Sequence, residues 1–136
     1  MPSTTQLVIT EESKTGTLAK VASLLGGAGV NIKAFCAPEV EGHGALRVIV
    51  SDLEKAKAAL KAEKVHFREE TALVLSLQNE PGALSDVAAH LKEAHINITC
   101  AYLTPSREGR RAIVVLTVSD IKKALAVLKD RSLDEI

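Results

Sequence analysis

The stretch Asn79-Glu80-Pro81-Gly82-Ala83-Leu84-Ser85-Asp86-Val87-Ala88-Ala89-His90-Leu91, followed by Asn97-Ile98, decides the fold. Leu84, Val87, Ala88 and Leu91 recur at i, i+3, i+4 and i+7, which is one apolar stripe of an amphipathic helix. Pro81 suits a first helical position and Gly82 allows a tight turn, so the helix opens here. The β-branched run from Ile96 to Thr104 then reads as a strand.

The same phrase occurs earlier in the chain. A shift of 66 residues pairs Gly16 with Gly82, Leu18 with Leu84, Val21 with Val87, Leu25 with Leu91, Asn31 with Asn97 and Ile32 with Ile98. Two residues then enter the second copy. A shift of 68 pairs Val50-Ser51-Asp52 with Val118-Ser119-Asp120, and Leu60 with Leu128. Chance does not keep so many pairs in order, so the chain is an internal duplication.

Each copy spells the same elements. Thr5 to Glu11 alternates, as do Leu73, Leu75 and Leu77, giving a first strand. The helix follows, closed in copy one by Gly26, Gly27 and Gly29. Second strands are expected at Val30 to Ala37 and Ile96 to Thr104, with turns at Gly42 and Gly44 and at Pro105 to Gly109. Third strands are expected at Ala45 to Val50 and Ala112 to Val118. Ser51-Asp52-Leu53-Glu54 reads as a capping box before a second helix. A short last strand is expected at Val65 to Glu69, with room for only a stub at Leu133 to Ile136. The order strand, helix, strand, strand, helix, strand is the split βαβ arrangement. The fold class is α+β: two tandem ferredoxin-like βαββαβ units, at residues 1–70 and 71–136, with antiparallel sheets and helices on one face. Val115 and Ile113 make the third strand of copy two apolar on both sides, which calls for a covering partner, either the other repeat or a second subunit.

Composition narrows function. Seventeen basic residues balance seventeen acidic ones, so nothing draws the chain to phosphate backbones or anionic lipid. No signal-like segment opens it and no apolar run approaches a membrane span, so a cytoplasmic protein is expected. Base stacking has only Phe35 and Tyr102 as candidates on the second strands, which disfavours RNA. Cys36 and Cys100 are isolated and read as small buried hydrophobes. The four histidines form no zinc-ligand pattern, so neither metal nor cofactor is expected. Arg107, Glu108, Arg110 and Arg111 read as a solvated loop.

Chemistry concentrates at the turn before each first helix. A helix start leaves backbone N–H groups unpaired and carries partial positive charge, a ready place for a carboxylate or phosphate. Asn79 either caps the helix or turns its amide outward, and Asn31 and Asn97 either start strands or meet a ligand. A small phosphatase on this fold needs an arginine in that turn, and neither copy has one. No nucleophile there has an evident base.

The chain resembles the ACT domain family. The resemblance rests on Asn79-Glu80-Pro81-Gly82-Ala83-Leu84 and Asn97-Ile98, repeated as Gly16-Thr17-Leu18 and Gly29-Val30-Asn31-Ile32. It implies a non-catalytic regulatory module that binds an amino acid or similar effector at a domain or subunit interface. Carried over by position, the ligand-binding residues would be Asn79, Gly82 and Asn97 in copy two, and Ser13, Gly16 and Asn31 in copy one. Ser13-Lys14-Thr15-Gly16 lacks both the amide and the proline of the other turn, so one site is expected to be altered or lost. A homodimer is expected from the doubly apolar strand, and a metabolic enzyme is the expected partner of such a module. The alternative is a regulatory subunit with no ligand of its own.

Overall fold

The computed structural model describes residues 3–10, 16–40, 43–105 and 108–128. The chain divides into two compact units, residues 5–70 and residues 71–136 together with residues 1–4.

The first unit holds β1 (Ser3–Ile9), α1 (Thr17–Gly27), β2 (Ile32–Cys36), a small hairpin of β3 (Glu39–Val40) and β4 (His43–Gly44), β5 (Leu46–Val50), α2 (Leu53–Ala62) and the opening residues of β6 (Phe67–Gln78). Strand β5 runs antiparallel between β1 and β2, with Leu7 opposite Val48 and Phe35 opposite Val48. Leu7, Ile9 and Val48 from one sheet face pack with Val21 and Leu25 of α1 and Ala56 and Leu60 of α2. Both helices therefore cover that same face. Alternation along β1 sends Leu7 and Ile9 to the helices and Gln6 and Val8 to the other side.

The second unit repeats the plan with β6, α3 (Ala83–Glu93), β7 (Ile98–Pro105), β8 (Arg111–Val118) and α4 (Ile121–Val127). Strand β8 pairs antiparallel with both β6 and β7. Leu73, Leu75, Val114 and Leu116 pack against Val87, Leu91 and Ala124. The duplication extends to irregularities. Registers shift between Ile32 and Ala34 in β2, and between Ile98 and Cys100 in β7. The helix endings also match. Val30 N–H donates to Leu25 O and Ile96 N–H to Leu91 O, each at 2.9 Å. The residue before each donor is left-handed, Gly29 at φ 75° and His95 at φ 59°.

Several expectations need correction. The last strand of copy one does not stop at Glu69: residues 67–78 form one twelve-residue strand, because Glu70-Thr71 offers neither glycine nor proline to break it. Ser51 and Glu54 do not form a capping box. Asp52 caps α2 by accepting from Lys55 N–H at 3.1 Å, and Asp120 does the same for Lys123 at 3.0 Å. Ser51 Oγ instead accepts from Asn31 N–H at 2.9 Å. Cys36 and Cys100 form no disulfide with each other and are half-buried rather than buried. Val74 and Val115, on the face away from the helices, are already buried within the chain. The stub at Leu133 to Ile136, Gly42 and Arg107 lie outside the described residues. Among the described residues, no helix is long and apolar enough to cross a membrane.

Candidate functional site

Gly82 is the residue at which the turn becomes helix. Its φ of 91° lies in the left-handed region that glycine tolerates, and Gly16 has the same value before α1. A Cβ built on Gly82 would meet nothing within 4 Å. Glycine is thus required there by backbone conformation, and the space over it is open. Pro81 lies in the turn before Gly82, just outside the helix.

The first turn of α3 has few partners of its own. Ala83 N–H reaches Glu80 O at 3.4 Å and Asp86 N–H reaches Gly82 O at 3.0 Å. Among the described residues, no group accepts from Leu84 or Ser85 N–H. By contrast α2 and α4 open on aspartate caps. Only the first helix of each copy opens on glycine, which has no side chain to fill its own start.

Asn79 does not cap α3. Its Nδ2 donates to Gly109 O at 2.8 Å, and its backbone N–H to Arg110 O at 3.0 Å. The amide therefore ties the turn to the β7–β8 hairpin and holds the helix opening in place. Beside it lies a pocket of about 280 Å³ lined by Ser76, Gln78, Glu80, Ala83, Asp86 and Arg111, among others. Arg111, expected to be a solvated loop residue, is bound to Ser76 instead. Its Nε donates to Ser76 Oγ at 2.9 Å and its Nη2 to Ser76 O at 2.7 Å. The register explains the miss: β8 begins at Arg111, directly opposite Gln78, so the side chain belongs to the sheet.

Asn97 lies at the far end of α3. Its N–H donates to Ser119 Oγ at 3.0 Å and its O accepts from Ser119 N–H at 2.9 Å. Asn31 repeats this with Ser51. Both backbones thus close a strand start, while neither Asn side-chain amide bonds to a described residue. Asn97 lines an open groove of about 510 Å³ with Ala88, Lys92, His95, Ile96 and Ile98. An eleven-residue helix separates Gly82 from Asn97 by roughly 16 Å. Asn79 and Gly82 are brought together; Asn97 is not brought to them. Gly16 and Asn31 are likewise at opposite ends of α1, and Ser13 lies outside the described residues. No group of three or more His, Cys, Asp or Glu among the described residues could hold a metal ion.

Comparison with known proteins places this geometry. Residues 3–136 match the family model described as an ACT domain pair. The solved structure of protein BT0572 from Bacteroides thetaiotaomicron is similar at 33% identity and a TM-score of 0.87, over 95% of this chain and 88% of that one. The ligand-free regulatory subunit of aspartate kinase from Thermus thermophilus is similar in fold at 13% identity and a TM-score of 0.63, over 96% and 92%. The structure of aspartokinase alpha and beta subunits matches at 14% identity and a TM-score of 0.64, over 95% and 91%. No match was found among curated proteins.

Proposed function

The chain belongs to the ACT domain family as a pair of such domains, and from that premise we propose a non-catalytic regulatory protein that binds an amino acid. The observation that supports this reading is the open start of α3, where the amides of Leu84 and Ser85 have no acceptor among the described residues, next to a pocket lined by Glu80, Ala83 and Asp86. A ligand carboxylate suits those amides and the positive end of the helix dipole. Glu80 and Asp86 on the same pocket suit an ammonium group. A site with both characters favours a zwitterion over a plain organic acid. Its volume of about 280 Å³ falls just under the ~300–1,000 Å³ typical of drug-sized pockets, which fits a small metabolite.

Asn97 enters this reading as a group from another copy of the fold, since one unit cannot bring it to its own Gly82. A homodimer supplies such a copy. A metabolic enzyme as the regulated partner, in the cytoplasm, completes the proposal, in line with the aspartate kinase regulatory subunits that share the fold.

Thermal unfolding against a panel of amino acids tests it. A ligand at about 100 times its Kd adds about 2.7 kcal/mol and raises Tm by roughly 10 °C. Asn97→Ala should shrink that rise, and Asn79→Ala should shrink it by loosening the turn. If neither the common amino acids nor purine and cofactor-like effectors move Tm, the ligand-binding reading falls.

A further inference from the structure

Strand β8 starts beside the turn because the turn is tied to the hairpin before it. Asn79 holds Gly109 O through Nδ2 and Arg110 O through its backbone N–H. Arg111 follows directly and pairs with Gln78 across the ladder. From there its half-buried side chain lines the turn pocket. Buried Ser76 fixes it, with Oγ accepting from Nε at 2.9 Å and the backbone O from Nη2 at 2.7 Å. Those two bonds lie along one edge of the guanidinium. The opposite edge, Nη1 with the second hydrogen of Nη2, has the fork geometry that grips a carboxylate through two parallel bonds.

We propose that Arg111 selects the effector: the copy-two pocket takes a dicarboxylic amino acid, whose side-chain carboxylate meets Arg111. This rests on the amino-acid reading above and deepens it. In that reading the α-carboxylate lies at the start of α3 and the ammonium at Glu80 and Asp86. Arg111 is the remaining charge on the pocket wall. A basic side chain would bring a second cation against it, and an apolar one would press hydrocarbon on a guanidinium; both are unfavourable in a partly desolvated pocket. An amide offers one acceptor oxygen there. A carboxylate offers two and carries the opposite charge. The charge pattern belongs to copy two alone: the shift of 66 sets Lys14 and Lys20 at the places of Glu80 and Asp86, and the shift of 68 sets His43 at that of Arg111.

Isothermal titration calorimetry on the full chain compares aspartate and glutamate with asparagine, glutamine, leucine and lysine. The tighter of the two acids should bind about tenfold more tightly than its own amide, the worth of one charge-assisted hydrogen bond. Arg111→Gln should bring that ratio to within about threefold, and Arg111→Lys, which keeps the charge without the fork, should restore part of it. A merely structural Arg111 would weaken acid and amide together and leave their ratio alone. Circular dichroism checks that the variants fold, and the parent's ratio decides even if one does not. A parent that binds the amide, leucine or lysine as tightly as the acid, or a ratio unmoved by Arg111→Gln, overturns the selection and leaves amino-acid binding standing. A chain that binds none of these ligands overturns the selection too, while the wider Tm panel judges amino-acid binding itself.

Discussion

The two copies share a backbone plan but differ in what lies on the sheet face away from the helices. In copy one that face carries a cluster of polar side chains. Gln6, wholly buried, donates through Nε2 to Glu70 Oε1 at 2.8 Å. Arg47 Nε reaches the same oxygen at 3.0 Å, and Arg68 Nη1 reaches Oε2 at 3.0 Å. In copy two the positions equivalent to Gln6 and Arg47 are Ala72 and Val115, both buried. Burying a carboxylate is costly unless donors surround it. Copy one has assembled three such donors where copy two uses aliphatic packing. Duplicated backbone geometry thus tolerates either solution, provided the polar one is complete.

Breaking the polar solution should produce the largest effect. Glu70→Ala leaves Gln6 and Arg47 without that acceptor in a buried setting, and should cost about 2–3 kcal/mol in urea denaturation. Glu69→Ala, which removes one of two exposed partners of Lys57, the other being Glu54, should stay within about 0.5 kcal/mol. The pH dependence sharpens the same point. Burial pushes the Glu70 carboxyl up, yet the hydrogen bonds from Arg47, Gln6 and Arg68 outweigh it and hold the group below its ordinary 4.5. A depressed folded value means stability that is full above about pH 4.5 and lost as pH falls through the folded value. Glu70→Gln should flatten that acid loss. An acid limb unchanged by the substitution would place the titrating group elsewhere.

Most of the fold was legible because duplication let each copy check the other. The helix stripes, the Gly16 and Gly82 turns and the three-strand core of each unit all follow from local pattern. Residues far apart in sequence were not legible. Gln6 and Glu70 are 64 apart and Arg47 and Glu70 are 23 apart, so nothing local marked Glu70, which fell just past the strand expected at Val65 to Glu69. The site behaved likewise. The glycine and the open helix start were visible in the spelling Asn79-Glu80-Pro81-Gly82. The hydrogen bond from Asn79 to Gly109 spans 30 residues, and no local periodicity announces it. Arg111 was misread because a one-residue error in the start of β8 moves a side chain from loop to sheet.

The two glycine turns offer the next test, since their backbones agree while their sequences do not. Gly16→Ala and Gly82→Ala each force a Cβ onto a left-handed residue with φ of 91°. Neither new methyl would meet another atom within 4 Å. The cost should therefore be backbone strain alone, about 1–2 kcal/mol, and nearly equal at the two sites. Thermal or urea unfolding of the pair measures it. A marked excess at Gly82 would mean that the Asn79 tether leaves that turn less able to relax than its counterpart.

The smallest effect concerns the other end of the same helices, where copy one has glycine and copy two does not. Gly29 and His95 hold the same left-handed place after their helices, at φ 75° and φ 59°. Glycine adopts that conformation without penalty, whereas histidine is strained there. On stability alone His95→Gly should gain about 0.5–1 kcal/mol, which leaves the retention of histidine to be explained. His95 lines the groove beside Asn97, and strained residues persist where a site needs them. The substitution should therefore raise the urea midpoint while reducing the Tm rise given by the bound amino acid. Gain of stability with ligand response intact would remove His95 from the site and leave its strain without a use.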